Sequence, residues 1–276
     1  MKRLLPLIFL MVACATEHMP RDPERLMVEG WIDSGGAPVV MVTSPVPAVE
    51  EPRQVEDLPE HIYYKAYVTV KDMETGEEVT LKGRKDTRYF PPFIYTTDAL
   101  KGVPGHSYSL KVMYGNHVAK AVTRIPEPVP LDRVEVSKSV QSDTMYVVTA
   151  YFDDPDGYHR VFAKVEGKDS TYRPSLLSGQ LAASRAGAIS VMRGWPLVKD
   201  GWKPLFKLGE TVHIKFCTLE KDVWEYWDSF DGVATISTIG FFPITKNPPT
   251  NMKGAYGYWA GYGVTYATVN IAVPYF

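Results

Sequence analysis

Apolar and polar residues alternate with a period of two along much of this 276-residue chain. The alternation is clearest over residues 62–71 and 106–114, and the second run returns through a Gly115-Asn116 turn into residues 117–125. A period of two places successive side chains on opposite faces of a β-strand, and a tight Gly-Asn turn between two such runs is typical of a hairpin. Because turn-forming residues interrupt the runs at short intervals, the pattern predicts an all-β fold of antiparallel strands.

A cluster of prolines divides the predicted strands into two sets. Three of the five residues from 126 to 130 are proline, and such a segment cannot continue a sheet and favours a stiff, extended chain. About seven short strands precede it, which predicts an immunoglobulin-like β-sandwich over residues 25–127. A second antiparallel β domain, barrel-like or sandwich-like, is predicted over residues 128–276.

One segment near residues 220–230 has the period of an α-helix instead. Its apolar residues recur at positions i, i+3, i+4 and i+7. They are Val223, Tyr226, Trp227 and Phe230. This spacing puts them on one stripe of a helix, so we expect the stripe to pack on the sheet of the second domain. Gly232 is predicted to end the helix.

The N-terminus carries the pattern of an export signal. Lys2 and Arg3 precede a short apolar run over residues 4–11, and Val12-Ala13 leads into Cys14. This is the layout of a secretory signal that ends in a lipobox. A transmembrane helix would need about 20 apolar residues, and this run is far shorter.

We therefore predict a signal peptide at residues 1–13, lipidation of Cys14 and a flexible tether over residues 14–24. The N-terminal lipid would attach the protein to a membrane, and a plain secretory signal without a lipid is the alternative. If Cys14 is acylated, Cys217 has no partner for a disulfide bond. A lone cysteine in an apolar strand is typically a packed residue.

Composition and motifs point away from several classes of function. The net charge is -2, so no basic field attracts nucleic acid, which we do not expect as a partner. No Walker loop, G-x-S-x-G or H-E-x-x-H motif is present. The six histidines are scattered, and only His106 and His117 lie on one predicted hairpin. We predict no catalytic residue, no metal site and no cofactor.

Two groups of carboxylates have an alternative interpretation. The residues from Asp153 to Gly157 are interpreted as a Pro-Asp-Gly turn between strands; a calcium loop would need further spaced oxygen ligands and a distant Glu. The acidic residues of the predicted helix could supply a carboxylate pair for glycoside hydrolysis. A solvated helix face is the favoured interpretation of that pattern.

Aromatic residues in predicted loops provide the best indication of binding. Trp195 and Trp202 lie beside glycines and prolines, and Tyr256, Tyr258 and Trp259 lie in a glycine-rich block near the C-terminus. Exposed Trp and Tyr stack on sugars or peptides and form interface hot spots. These five residues are the predicted binding surface. The alternative is that they fill the protein core.

Several segments together resemble a known family. The segments are the lipobox at Cys14, Val28 to Ile32 followed by residues 38–40, residues 102–112, residues 121–132, Phe152 to Pro155, the helix with Tyr226 and Trp227, and residues 254–263. In this order they resemble the bacterial lipoprotein family called domain of unknown function 4249, over essentially the whole mature chain. The resemblance implies an outer-membrane lipoprotein of Gram-negative bacteria, often found beside TonB-dependent transporters. It implies no catalytic residues.

The sequence thus predicts a lipid-anchored cell-envelope protein that acts as a non-catalytic binding or accessory module. The expected partners are an outer-membrane transporter or a glycan or peptide ligand. Its orientation, towards the periplasm or the cell surface, stays open because only Glu17 follows Cys14 closely as an acidic residue. The alternative is a hydrolase of exported polysaccharide or peptide, which needs convergent titratable groups with shifted pKa values. A third interpretation is a structural partner of a transporter, with a broad apolar patch.

Overall fold

The computed structural model of the chain describes residues 25–44, 61–140, 142–175, 187–194, 204–237 and 249–272. The strands are β1 (Leu26–Asp33), β2 (Val39–Thr43), β3 (Tyr67–Asp72), β4 (Glu78–Lys85), β5 (Phe93–Thr96), β6 (Ser107–Tyr114), β7 (His117–Arg124), β8 (Arg133–Lys138), β9 (Met145–Tyr151), β10 (Tyr158–Val165), β11 (Arg173–Pro174), β12 (Ala188–Val191), β13 (Phe206–Lys207), β14 (Thr211–Leu219) and β15 (Ala255–Asn270). The helix is α1 (Lys221–Ser237).

Most of the described strands belong to one large sheet. Its order is β11-β10-β14-β15-β1-β2-β5-β4-β3-β6-β7. A second, smaller sheet has β9 at its centre, paired with β8, β12 and β13. Among these strands the pairings are antiparallel, except that β1 and β15 run parallel. The predicted all-β, sandwich-like fold with one short helix is confirmed.

The first hydrophobic core lies between two layers of the folded large sheet. Side chains of β1 and β2, such as Val28 and Val40, face Val70 of β3 and Leu110 of β6, and all four are fully buried. The alternation seen in the sequence points these residues inward. Full burial of each such side chain contributes about 1.5–3 kcal/mol. This core includes Trp259 of β15, which comes from the far end of the chain.

The large sheet and this core both extend across the predicted domain boundary at residue 127. The first eight residues of β15 pair with β1, from Leu26 opposite Ala255 to Asp33 opposite Tyr262. The strands within residues 25–127 are therefore completed by the C-terminal strand. The proline segment does lack strand structure, as expected, and it is held to the second half of the chain. Val129 donates its backbone N–H to Thr218 and accepts a hydrogen bond from the Thr265 hydroxyl.

Glycines in β15 allow β7 and the segment after it to cross this strand closely. A Cβ placed on Gly261 would lie 2.3 Å from the carbonyl oxygen of Arg124, and one on Gly263 would lie 2.4 Å from that of Pro126. Both distances are far below van der Waals contact, so only glycine fits here without a backbone shift. The backbone N–H of Gly261 also donates to the Thr123 hydroxyl at 2.8 Å.

The second core packs the smaller sheet against the other end of the large sheet. It contains Val148 of β9, Ile189 of β12, Val161 of β10, and Ile214 and Phe216 of β14, all fully buried. The C-terminal part of β15 borders this core. One 16-residue strand therefore contributes to both cores, which joins the two halves of the fold.

Helix α1 packs on the outer face of the large sheet, as its apolar stripe predicts. Val223 and Tyr226 are buried in a cluster with Cys217 and Tyr258, and Trp227 is half-buried against it. The prediction that Gly232 ends the helix is wrong, because α1 continues to Ser237. No helix of the described residues is long and apolar enough to cross a membrane.

Candidate functional site

Two of the five predicted binding residues are buried, so this part of the predicted surface is corrected. Trp259 is fully buried, and its Nε1–H donates to the carbonyl oxygen of Tyr108 at 2.9 Å. Tyr258 is 3% exposed, and its hydroxyl donates to Asp222 Oδ2 at 2.9 Å. As neighbours on a strand they point to opposite faces. Each face of β15 is covered here, by the first core on one side and by α1 on the other.

Of the other three predicted binding residues, only Tyr256 lies within the part of the chain that the structure describes. Tyr256 is half-buried, with the guanidinium of Arg25 5.4 Å from the centre of its ring. Trp195 and Trp202 lie outside the described residues, as does Cys14. A binding role for the two tryptophans therefore stays a prediction.

The sheet face beneath α1 holds several charged and titratable side chains. We call it the helix-covered face; its members are Glu29, Asp33, Arg160, Lys215, Cys217, Tyr258 and Tyr262, together with Tyr226 of α1, which packs onto it. They lie on β1, β10, β14, β15 and α1. Burial is nearly continuous along β14 and along the first ten residues of β15, because both faces of these strands are covered there.

An ion pair joins two strands of the helix-covered face. Lys215 Nζ lies 2.7 Å from both carboxylate oxygens of Asp33. Burial alone would lower the pKa of the Lys215 ammonium, but the adjacent carboxylate outweighs burial and raises the pKa. The lysine therefore stays charged. A buried charge without such a partner would cost several kcal/mol.

Tyrosine and tryptophan side chains connect this face to the helix. Trp227 Nε1–H donates to the Tyr262 hydroxyl at 2.8 Å, and the Arg160 guanidinium lies 4.4 Å from the centre of the Trp227 ring. The rings of Tyr226 and Tyr258 stack at 4.5 Å. Burial raises the pKa of Tyr262 well above its usual value. These tyrosines are therefore neutral hydrogen-bonding groups.

Burial also determines the state of two further groups on this face. It raises the pKa of the Cys217 thiol to about 12, which leaves the thiol protonated and unreactive. It raises the pKa of the Glu29 carboxyl as well. The expectation that Cys217 is a packed residue is confirmed by its complete burial. Together, the contacts on the helix-covered face hold α1 against the sheet.

A groove that is open to solvent lies at the edge of the second sheet. We call it the open groove; its volume is about 420 Å³, and it is lined by Asp132, Arg133, Tyr151, Phe152, Asp153, Asp154, Pro155 and Gly187. The Arg133 guanidinium lies 3.7 Å above the Tyr151 ring and is also 2.7 Å from Glu135. The groove thus offers carboxylates, one cation and an aromatic face to a ligand.

A buried histidine lies directly behind the open groove. His159 is fully buried, and its Nε2 is 3.1 Å from Asp154 Oδ2. Its ring packs against Phe152 and Phe216. Burial lowers the pKa of His159, although the Asp154 carboxylate acts in the opposite direction. The predicted turn over residues 153–157 is confirmed, and it brings Asp154 back onto the histidine.

A second histidine–carboxylate contact was not found from the sequence. His106 Nδ1 is 2.8 Å from Asp72 Oδ2. Side-chain atoms of Asp72, Glu74 and His106 that could coordinate a metal ion lie within 4.8 Å of one another. Burial disfavours ionised Asp72, but hydrogen bonds from His106 and from the amides of Thr75 and Glu74 outweigh it and lower the pKa. By accepting these hydrogen bonds, the Asp72 carboxylate stabilises the turn between β3 and β4. No local motif signals the contact, because 34 residues separate its members.

The chain matches the model of a known protein family. The model of a protein family described as domain of unknown function (DUF4249) matches residues 15–268. No curated protein matches the chain. The matched segment includes β1 to β14, α1 and nearly all of β15, so both cores, the helix-covered face and the open groove lie within it.

Proposed function

Because the chain belongs to the family described as domain of unknown function DUF4249, we propose that it is a lipoprotein of the bacterial outer membrane. Cys14 carries the lipid, and the protein acts as a non-catalytic binding or accessory module. The partner we propose is a TonB-dependent transporter or a glycan or peptide ligand. The protein faces either the periplasm or the cell surface.

The pattern of the first fourteen residues supports the lipid anchor. A basic start, a short apolar run and small residues before Cys14 form a lipobox signal. Mass spectrometry of protein purified from its native host tests this. We expect a mature chain that begins at an acylated Cys14, and a Cys14→Ser variant that leaves the membrane fraction. An intact Met1 terminus, or an unmodified Cys14, would contradict the anchor.

One observation carries the preference for binding over catalysis. The groups with the largest shifts in pKa, including Cys217 and Tyr262, lie beneath α1 and are closed off from solvent. The open groove lies elsewhere, at the edge of the second sheet. A catalytic site needs activated groups and substrate access in one place, whereas a binding module needs only an accessible surface.

Co-purification from native membranes tests the proposed binding role. We expect a transporter, or a glycan or peptide, to accompany the protein, and we expect Trp195→Ala with Trp202→Ala to reduce its capture. The control variant replaces two exposed aromatic residues of the described strands and loops, Tyr64 and Tyr266, by alanine. If the tryptophan variant captures the partner as well as wild type does, the two tryptophans are not the contact surface.

The alternative function is that of a hydrolase, and the contact between His159 and Asp154 beside the open groove favours it. A carboxylate that orients a histidine is a recurring arrangement in general base catalysis. Turnover of glycans or peptides that Asp154→Asn abolishes, while Asp143→Asn leaves it unchanged, would establish the enzyme and overturn the binding proposal. Asp143 is a suitable control because its side chain is 98% exposed.

A further inference from the structure

Three lysines lie side by side on the outer face of β6 and β7, which points away from the first core. Lys111 of β6 is directly opposite Lys120 of β7. Lys120 in turn exchanges two backbone hydrogen bonds with Lys253, of 3.0 and 2.8 Å. Directly opposed residues of antiparallel strands have Cβ atoms about 4.5–5.5 Å apart and point to the same face. We call these three residues the lysine row.

The lysine row is electrostatically unfavourable in the isolated protein. Like charges on directly opposed positions destabilise a sheet, and no ion pair joins these lysines to an acidic group among the described residues. Lys120 and Lys253 are exposed, and Lys111 is half-buried. Exposed Lys71 lies one strand further on the same face, two residues from Thr69, which pairs with Lys111, but Lys71 itself has Glu78 directly opposite it. An anionic partner would relieve this repulsion.

Apolar side chains flank the lysine row. Met113 pairs with Tyr67 on one side and with Val118 on the other, one step along the face from the lysines. The side chains of Tyr67 and Val118 are 49% and 44% exposed. A tyrosine beside cationic groups suits the boundary between lipid headgroups and acyl chains, where amphipathic aromatic rings concentrate.

The N-terminal end of the described chain lies next to the lysine row. Leu26 pairs with Ala255, two residues after Lys253, so the residues before β1 reach the fold at this edge. Between Cys14 and Arg25 the chain can span at most about 3.3–3.6 Å for each residue. A lipid on Cys14 would therefore hold this face of the large sheet within a few tens of ångströms of the membrane.

We propose that the lysine row binds the anionic phosphate headgroups of the membrane to which the protein is anchored. The proposal rests on the lipid anchor proposed above and adds the orientation of the folded part, with the β6–β7 face against the bilayer. A lipid chain combined with a basic patch is a general way to hold a protein stably on a membrane surface. The overall charge of -2 does not produce this attraction, which arises from the local arrangement.

Vesicle binding by the unlipidated mature chain tests the lysine row separately from the lipid. The protein is the chain from residue 14 onward with Cys14→Ser, and the probes are vesicles of phosphatidylcholine with and without phosphatidylglycerol. We expect cosedimentation with the anionic vesicles only, and release when the ionic strength is raised well above about 0.1 M. Neutralising all three lysines to Gln should weaken binding about a hundredfold, since each basic residue near such a surface contributes about fivefold.

The matched control neutralises three other exposed lysines, Lys101, Lys138 and Lys207, and should bind as wild type does. The melting temperature of the lysine-row variant should be no lower than that of wild type, because the substitutions remove repulsion. Equal binding by wild type and the lysine-row variant would overturn the proposal. So would binding of the chain to a soluble sulfated glycan but not to anionic vesicles. Lipidation is measured independently on Cys14, so the failure of one proposal is distinguishable from the failure of the other.

Discussion

Replacement of Trp259 by alanine tests the central feature of the fold, which is that the C-terminal strand completes the N-terminal core. Trp259 is fully buried among residues of β1, β2, β3 and β6. Its indole N–H satisfies the buried carbonyl of Tyr108. The substitution removes both the ring and this hydrogen bond, so it creates a cavity and leaves an unpaired acceptor.

The expected loss of stability is large. Truncation of a buried tryptophan costs about 3–5 kcal/mol, and an unsatisfied buried carbonyl places the value towards the upper end of that range. For a chain of this size each kcal/mol lowers the melting temperature by about 2–4 °C, so the expected decrease is about 6–20 °C. Trp259→Phe keeps most of the apolar contact and should cost less.

Thermal and urea unfolding of the folded chain, followed by circular dichroism, measures this change. The matched control is Tyr266→Ala on the same strand, because Tyr266 is 57% exposed and surface substitutions usually change stability by less than about 0.5 kcal/mol. A Trp259→Ala protein that melts with wild type would refute the assignment of Trp259 to the core.

The remaining predictions follow from the same contacts. Residues 25–127 expressed alone should stay unfolded, and addition of a 249–272 peptide should restore structure, as followed by circular dichroism; a fragment that folds without the peptide would contradict the shared core. Lys215→Met should cost about 1–3 kcal/mol, because it leaves the Asp33 carboxylate, whose side chain is only 16% exposed, without its cation; Asp33→Asn in the same protein should recover part of that loss in urea unfolding. Burial lowers the pKa of His159, so the folded protein binds fewer protons than the unfolded chain and stability should fall as the pH drops below about 6.5; His159→Gln should flatten this dependence. With its pKa raised to about 12, Cys217 should resist maleimide at neutral pH until urea unfolds the protein, and rapid labelling of the native state would contradict its burial.

Local pattern was sufficient for much of the fold. The β6–β7 hairpin is where alternation and a Gly-Asn turn predict it, with Tyr114 opposite His117 across the turn. The same hairpin places His106 and His117 near opposite ends, so these two histidines do not meet. The stripe of α1 also predicted which side faces the sheet, because helical spacing determines the face directly.

Partner choice between distant strands was not predictable in this way. Alternation and turn residues determine that a segment is a strand and which of its neighbours it can return to, but they say nothing about a partner more than 200 residues away. The proline segment looked like a boundary because it interrupts local pairing. β1 and β15 lie on opposite sides of the proline segment in the sequence, yet they pair in parallel, and only the assembled sheet shows this pairing.

The aromatic block shows why composition misled the prediction of the binding surface. Glycines beside aromatic rings are common in exposed loops, and the same composition is needed where a strand is buried on both faces and crossed by another backbone. In β15 the glycines at 261 and 263 admit the carbonyl groups of the crossing chain, while Tyr258 and Trp259 fill the spaces on either side. Because this strand lies in both cores, the aromatic rings that looked available for a ligand instead bind the two halves of the protein to each other. An accessible surface for partners must therefore lie elsewhere, and the lysine row and the open groove are two surfaces of the described residues that offer charge to a partner.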